Sequence, residues 1–189
     1  MRDDALAVVA CGSIAVTGLP GYLMLLNHEV DLGLRVLLTQ GAERFLPRQT
    51  VGWYADEVFA SQDQDLNPIE FAMRSIGMVV LPATANMLAA AALGLAGTPA
   101  QTAVLASGRP CLFFPSMNES MWSAASTQRH VAALRKDGHT VVEPLHQQVY
   151  VLWQRTFALG RVMPPPDSAV ETIIGWLDDG LAASSLQAL

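Results

Sequence analysis

The chain is short of charge. Only 15% of its 189 residues are Asp, Glu, Lys or Arg, against about a quarter in an ordinary soluble domain. Cations are the scarcer sign, 11 against 17 acids, and no basic run is longer than Arg135-Lys136. A polyanion is held by a basic stripe, so neither nucleic acid nor an anionic membrane surface is an expected partner. Cysteine is equally scarce. Cys11 and Cys111 stand alone, without a CxxC or a Cys/His cluster, which excludes a disulfide framework and a zinc site and fits the cytoplasm. The N-terminus lacks the basic residues of a signal peptide, carrying Asp3 and Asp4 instead. No charge at all occurs from Ser75 to Gly108, long enough for a bilayer span. Pro82, Asn86, Gly94, Gly97 and Pro99 interrupt that stretch, and it reads better as a buried strand, a turn and a small-residue helix.

Apolar side chains are plentiful, at 51%, which excludes intrinsic disorder. The length suits one domain over residues 1–189, burying roughly 70% of the surface an unfolded chain exposes. So little charge also implies that subunit contacts cover part of the surface.

Short apolar runs alternate with longer helical patterns. Leu6–Ala10, Arg35–Leu38, Met78–Leu81, Cys111–Phe114 and Thr140–Val142 read as strands. Helices are expected from the turn at Gly12 to about Asn27, and over Met87–Leu95, Glu119–Lys136 and Ala169–Leu181, the last capped by Asp167 or Ser168. Strands apolar on both faces and separated by helices predict an α/β fold, a Rossmann-like three-layer sandwich around a parallel sheet. In such a fold, ligands sit beyond the carboxyl ends of the strands.

The residues at those ends are unusual. Gly12-Ser13-Ile14-Ala15 follows the first strand, a small-residue turn suited to a phosphate or simply to starting a helix. It is not GxGxxG, and no acid is placed to read a ribose, which disfavours a dinucleotide. Thr39 offers a further hydroxyl on the same edge. Pro82-Ala83-Thr84-Ala85-Asn86-Met87 follows the third apolar run, and its alanines permit close approach of a flat ligand. Pro115-Ser116-Met117-Asn118-Glu119-Ser120-Met121-Trp122 follows the fourth. Asn118 there is either an N-cap or a neutral donor to a carboxylate at a helix start, and Met117, Met121 and Trp122 are either core or an apolar wall.

Taken together, the last two segments resemble the paired signatures of the homo-oligomeric flavin-containing cysteine decarboxylases. Pro82–Met87 is similar to PASANT, with Thr84 and Met87 replacing the usual serine and threonine; Pro115–Trp122 fits PxMNxxMW at every specified position. The family includes the peptidyl-cysteine decarboxylases of lantibiotic, linaridin and thioamitide pathways, and phosphopantothenoylcysteine decarboxylase. The resemblance extends to Gly12–Ala15, Thr39 with Phe45, and Gly160-Arg161. It implies a flavoprotein fold and FMN at a subunit interface, in a trimer that assembles further into a dodecamer. Gly12, Ser13 and Thr39 would hold the phosphate side, Phe45 would be a further cofactor-binding residue, Thr84 and Asn86 would contact the flavin or its supporting loop, and Asn118 with Met117 would be the catalytic pair at the substrate carboxylate. The implied reaction is oxidative decarboxylation of the C-terminal cysteine of a ribosomally made precursor peptide. Hydride leaves the carbon bearing sulfur, carbon dioxide follows, and an enethiol remains, en route to aminovinyl-cysteine. Leu145–Leu159 would cover the peptide tail, with Tyr150, Trp153 and Phe157 as apolar contacts and Arg155 or Arg161 able to meet a carboxylate.

Two departures matter. The family's active-site histidine is replaced, with Asn67 or Pro68 at its place. None of the four histidines aligns with it: His28 and His139 read as solvated turn residues, His130 as a helix residue and His146 as lying in the substrate-covering segment. Nor does any cysteine follow Cys111, which removes the residue that the coenzyme A pathway enzyme uses to reduce its enethiol. The alternatives that stay open are phosphopantothenoylcysteine decarboxylase and a non-catalytic flavin-binding regulator.

Overall fold

A computed structural model describes the backbone of residues 5–187 and the side chains of residues 5–180. Asp3 and Asp4, on which the reading of the N-terminus rests, lie outside the described residues. The elements in chain order are β1 (Ala5–Ala10), a 3-10 turn (Ile14–Gly18), α1 (Leu19–Glu29), β2 (Gly33–Leu38), α2 (Gln40–Glu43), α3 (Arg48–Val51) and β3 (Glu57–Ala60). There follow α4 (Pro68–Met73), β4 (Gly77–Ala83), α5 (Ala85–Ala92), α6 (Pro99–Ala106), β5 (Cys111–Pro115), α7 (Glu119–Trp122) and α8 (Ala125–Lys136). The chain closes with β6 (Thr140–Val141), β7 (Leu145–Val151), β8 (Thr156–Val162) and α9 (Pro166–Gln187).

Six strands form one parallel sheet in the order β3-β2-β1-β4-β5-β6. Every residue of β1, β2, β4 and β5 is buried, which is why these strands, Arg35 of β2 apart, read as apolar runs rather than alternating ones. Successive side chains still point to opposite faces. Leu6, Val8 and Ala10 pack with Leu23 and Leu26 of α1 and Val170 and Ile173 of α9. Ala7 and Val9 face Phe71, Leu88, Ala103 and Leu134, from α4, α5, α6 and α8. The expected three layers are thus present. Among the described residues no helix is long and apolar enough to cross a membrane.

The structure departs from the sequence reading in its details. The expected helix over Glu119–Lys136 is two helices, because Ala124 is extended (φ −61°, ψ 133°). The last helix starts at Pro166, so Asp167 lies in its first turn, where a carboxylate is favoured by the helix dipole, and does not cap it. His139 is no solvated turn residue. It is half-buried, its Nδ1 accepts the Cys111 N–H at 3.0 Å, and its ring packs edge-on against Phe113. Burial lowers its pKa below the ordinary 6.5, against the opposing pull of Asp137. The unfolded chain therefore takes up this proton more readily than the folded one. Stability should be complete above about pH 6.5 and decline as pH falls through the folded pKa. Thermal melts at stepped pH should show this slope in the wild type and not in His139→Asn.

Candidate active site

A cavity of about 640 Å³ opens at the carboxyl ends of β1, β2, β3 and β4, where the strand order reverses between β1 and β4. That is the place at which a doubly wound sheet leaves room for a ligand, and the volume is that of an ordinary small-molecule site. Its walls come from five loops: Cys11-Gly12, Thr39-Gln40-Gly41, Ser61-Gln62, Thr84 to Met87, and the start of α6 with Thr98 and Gln101; Met121 of α7 completes it. No Asp, Glu, Lys, Arg or His is among these lining residues.

Each loop is shaped by its own residues. Gly12 is required because the first two loops meet backbone to backbone: a Cβ there would lie 2.7 Å from both the Cα and the carbonyl carbon of Gly41. Gly12→Ala should therefore overpack the cavity floor and destabilise the fold by about 1–3 kcal/mol; a fall in Tm together with a narrowed cavity in a crystal structure checks this. Thr39 donates its hydroxyl to the Ala10 carbonyl at 3.1 Å and accepts from the Ala42 N–H at 3.3 Å, capping α2. Its proton is thus committed within the protein. What the Thr39 loop presents instead are the first N–H groups of α2, which have no intrahelical acceptor. Thr84 caps α5 in the same way through the Met87 N–H, and Thr98 caps α6 through the Gln101 N–H. Asn86 is exposed in the cavity wall.

Ser13 does not line the cavity. Its hydroxyl is hydrogen-bonded to Ser116 at 2.8 Å, tying the loop after β1 to the PxMNxxMW segment. The loops after β4 and β5 are also adjacent, with Ala83 paired to Pro115 and the Ser116 N–H donating to the Ala83 carbonyl. The two signature segments therefore lie side by side. Asn118 sits at the start of α7, exposed, and its Oδ1 accepts the Met121 N–H at 2.8 Å. Cap and donor are thus compatible roles: the oxygen is turned inward to the helix, which leaves the amide NH₂ free of protein partners. Met117 packs against the core beneath, and Phe45 lies past the end of α2, outside the lining.

Sequence reasoning missed Gly41, Ser61, Gln62, Thr98 and Gln101. The Thr98-Pro99 pair was the available signal, an N-cap followed by proline in the first turn. Cys11 also lines the cavity. Burial drives its thiol pKa up to about 12, against hydrogen bonds with Thr84 that lower it, so at neutral pH it is an uncharged wall residue. None of the four histidines lines the cavity. Asn67 caps α4, accepting from the N–H groups of Ile69 and Glu70, and Pro68 is the first residue of that helix.

Beyond the sheet, β7 and β8 pair antiparallel as a separate two-stranded ribbon. Its tip carries Trp153, 82% exposed, and Tyr150 packs edge-on against Phe157, with both still exposed.

A family model described as Flavoprotein matches residues 1–178. The chain belongs to the Flavoprotein family. The mersacidin decarboxylase of a Bacillus species is 32% identical to this flavoprotein over 176 residues, covering 92% of it and 90% of that protein. The solved structure of the same Bacillus protein, MrsD, superimposes with a TM-score of 0.79 at 30% identity, covering 94% and 96% of the two chains. SpaF, described as an FMN-dependent cysteine decarboxylase, gives 0.76 at 27% identity, covering 92% and 97%. EpiD complexed with the substrate peptide DSYTC shares the fold, with a TM-score of 0.84 at 22% identity, covering 90% and 98%. The cavity suits a flavin nucleotide by its donor set. Neutral hydroxyls and amides line it, and the first N–H groups of α2 and α5 are donors of the kind that hold a phosphate at a helix N-terminus.

Proposed function

We propose that this flavoprotein is an FMN-dependent decarboxylase acting on the C-terminal cysteine of a ribosomally made precursor peptide, yielding the enethiol. The observation that carries this reading is the free amide of Asn118, held by its own cap beside a charge-free cavity at the sheet's switch point. When bound, FMN supplies the hydride acceptor that oxidative decarboxylation of a cysteine requires. The N–H groups at the Gly12 and Thr39 loops would hold its phosphate, with Ser13 bracing the Gly12 loop through Ser116. Thr84 and Asn86 would contact the flavin, with Phe45 as a further cofactor-binding residue. Asn118 Nδ2 donates to the peptide's terminal carboxylate and orients it; being neutral, it does not hold the carboxylate so tightly that loss of carbon dioxide is opposed. Met117 backs that loop from the core side. No Asp, Glu or His lines the cavity and the Cys11 thiol is uncharged, so the proton of the substrate thiol passes to solvent.

The exposed ribbon supplies cover for the peptide tail, with Tyr150, Trp153 and Phe157 as its apolar contacts. Exposed apolar groups elsewhere, Trp53 at 87% and Met73 at 74%, suit burial between copies of the chain in a homo-oligomer of trimers, up to a dodecamer. The two cysteines are free and buried, which accords with the cytoplasm. The coenzyme A pathway reaction is disfavoured because no cysteine follows Cys111.

The test is incubation of the FMN-loaded protein with peptides ending in cysteine and with the same peptides as C-terminal amides. Mass spectrometry should show loss of carbon dioxide and two hydrogens from the free acids alone. No mass change in any cysteine-ended peptide would overturn the reading.

A further inference from the structure

A two-stranded ribbon is marginally stable on its own, so β7–β8 needs an anchor. Its base has one. Glu119, the residue after Asn118, accepts the Ser123 hydroxyl at Oε1 (2.7 Å), while its Oε2 accepts Arg161 Nε at 3.0 Å and lies 3.8 Å from His146 Nε2. Arg161 on β8 stands opposite His146 on β7. Its Nη1 also donates to the carbonyl of Pro144, just ahead of β7, at 3.2 Å. One carboxylate therefore touches both strands at the open end of the ribbon, far along it from the Trp153 tip. The Ser123 hydroxyl, with Arg161 and His146, holds the Glu119 carboxyl below its ordinary pKa against the opposing effect of burial, so it is ionised at neutral pH. Arg161 is the most buried member of the cluster, its side chain 23% exposed. It is thereby committed inside the protein through Nε and Nη1 and is not the free cation expected to meet a substrate carboxylate.

We propose that Arg161 is a positioning residue, which through Glu119 and Pro144 sets the ribbon against the Asn118 loop so that its apolar tip covers the tail of a peptide whose carboxylate Asn118 holds. The inference rests on the peptidyl-cysteine reading above. A guanidinium makes both bonds at once from a planar fork; a lysine ammonium reaches one. The anchor acts on a peptide long enough to reach the tip and not on the chemistry at the cysteine.

The experiment uses the full-length, FMN-loaded protein as wild type, R161K, R161Q and E119Q, with a long cysteine-ended peptide and a dipeptide ending in cysteine. R161Q should raise KM for the long peptide about tenfold or more, as expected for loss of a charge-assisted contact, with kcat within about twofold. R161K should fall between, and neither variant should alter KM for the dipeptide. E119Q, which removes the charge from the other side, should follow R161Q and keeps the test open if R161Q folds poorly. An unchanged KM for the long peptide, or equal losses on both substrates, would overturn the inference. Trypsin cleavage after the exposed Arg155 reads the anchor without turnover. It should be several-fold faster in R161Q and E119Q, and equal rates would overturn the inference. A wild type inert on every peptide with faster cleavage in the variants would sink the decarboxylase reading and leave the anchor standing.

Discussion

Asn118→Asp is expected to cost at least about 100-fold in kcat/KM while leaving the fold intact. Aspartate preserves an oxygen acceptor for the Met121 N–H, is as good an N-cap as asparagine, and adds favourable charge at a helix start. What it removes is the NH₂ donor, and what it introduces is a carboxylate facing the carboxylate of the substrate. Loss of a hydrogen bond to a charged group costs about 1.5–3 kcal/mol, or roughly 10- to 150-fold, before repulsion is counted. Asn118→Ala loses both the donor and the cap, which is worth about 1 kcal/mol of stability. The two variants therefore rank oppositely. Alanine is the less stable, and aspartate is the less active. Were Asn118 only a cap, aspartate would be neutral in both respects, so Tm and kcat/KM measured on the pair separate the roles.

Arg35→Ala should be strongly destabilising, by about 3–5 kcal/mol. Arg35 is 5% exposed within β2. Its Nε donates to Glu57 at 2.7 Å, its Nη1 to the Phe71 carbonyl at 3.1 Å, and the guanidinium lies 5.2 Å from the Phe71 ring centre and 5.9 Å from that of Phe59. Truncation leaves a mostly buried carboxylate on β3 without its cation, takes one of two side-chain donors from the Phe71 carbonyl, which keeps the Ser75 hydroxyl, and opens a void beneath α4. Arg35→Met fills the void and should lose less than the alanine variant. Urea unfolding of both variants measures the difference, and a loss under 1 kcal/mol for alanine would contradict the packing described.

The same pair explains part of what the sequence concealed. β3 is a four-residue edge strand that opens with Glu57, and a charge at the start of so short a run hides its pairing until the buried arginine opposite is known. The ribbon was hidden for another reason. β7 reads Leu-His-Gln-Gln-Val-Tyr-Val and is mostly exposed, so no buried face imposes a period of two. Its turn, Leu152-Trp153-Gln154-Arg155, holds none of the usual turn residues, and Arg155 itself takes the left-handed conformation, φ 52°. Strands buried on both faces were legible because burial on both faces leaves apolar residues almost throughout, the paired Arg35 of β2 being the exception. Within the site, the loops that follow such strands were found from sequence, namely those bearing Gly12, Thr39, Thr84 and Asn118. The walls contributed by β3 and by the start of α6 were not. The structure also reassigns the work inside the legible loops: the Thr39 hydroxyl is spent on Ala10 and Ala42, and Ser13 on Ser116.

In the proposed reaction a cysteine at the end of a peptide would reduce a flavin held in the cavity at the β1/β4 switch. Anaerobic mixing of the FMN-loaded protein with a cysteine-ended peptide, followed by visible absorbance, tests it most directly. The oxidised flavin band should bleach in step with peptide consumed, and not at all for the same peptide ending in serine. Retention of the full oxidised spectrum alongside saturating cysteine-ended peptide would contradict it.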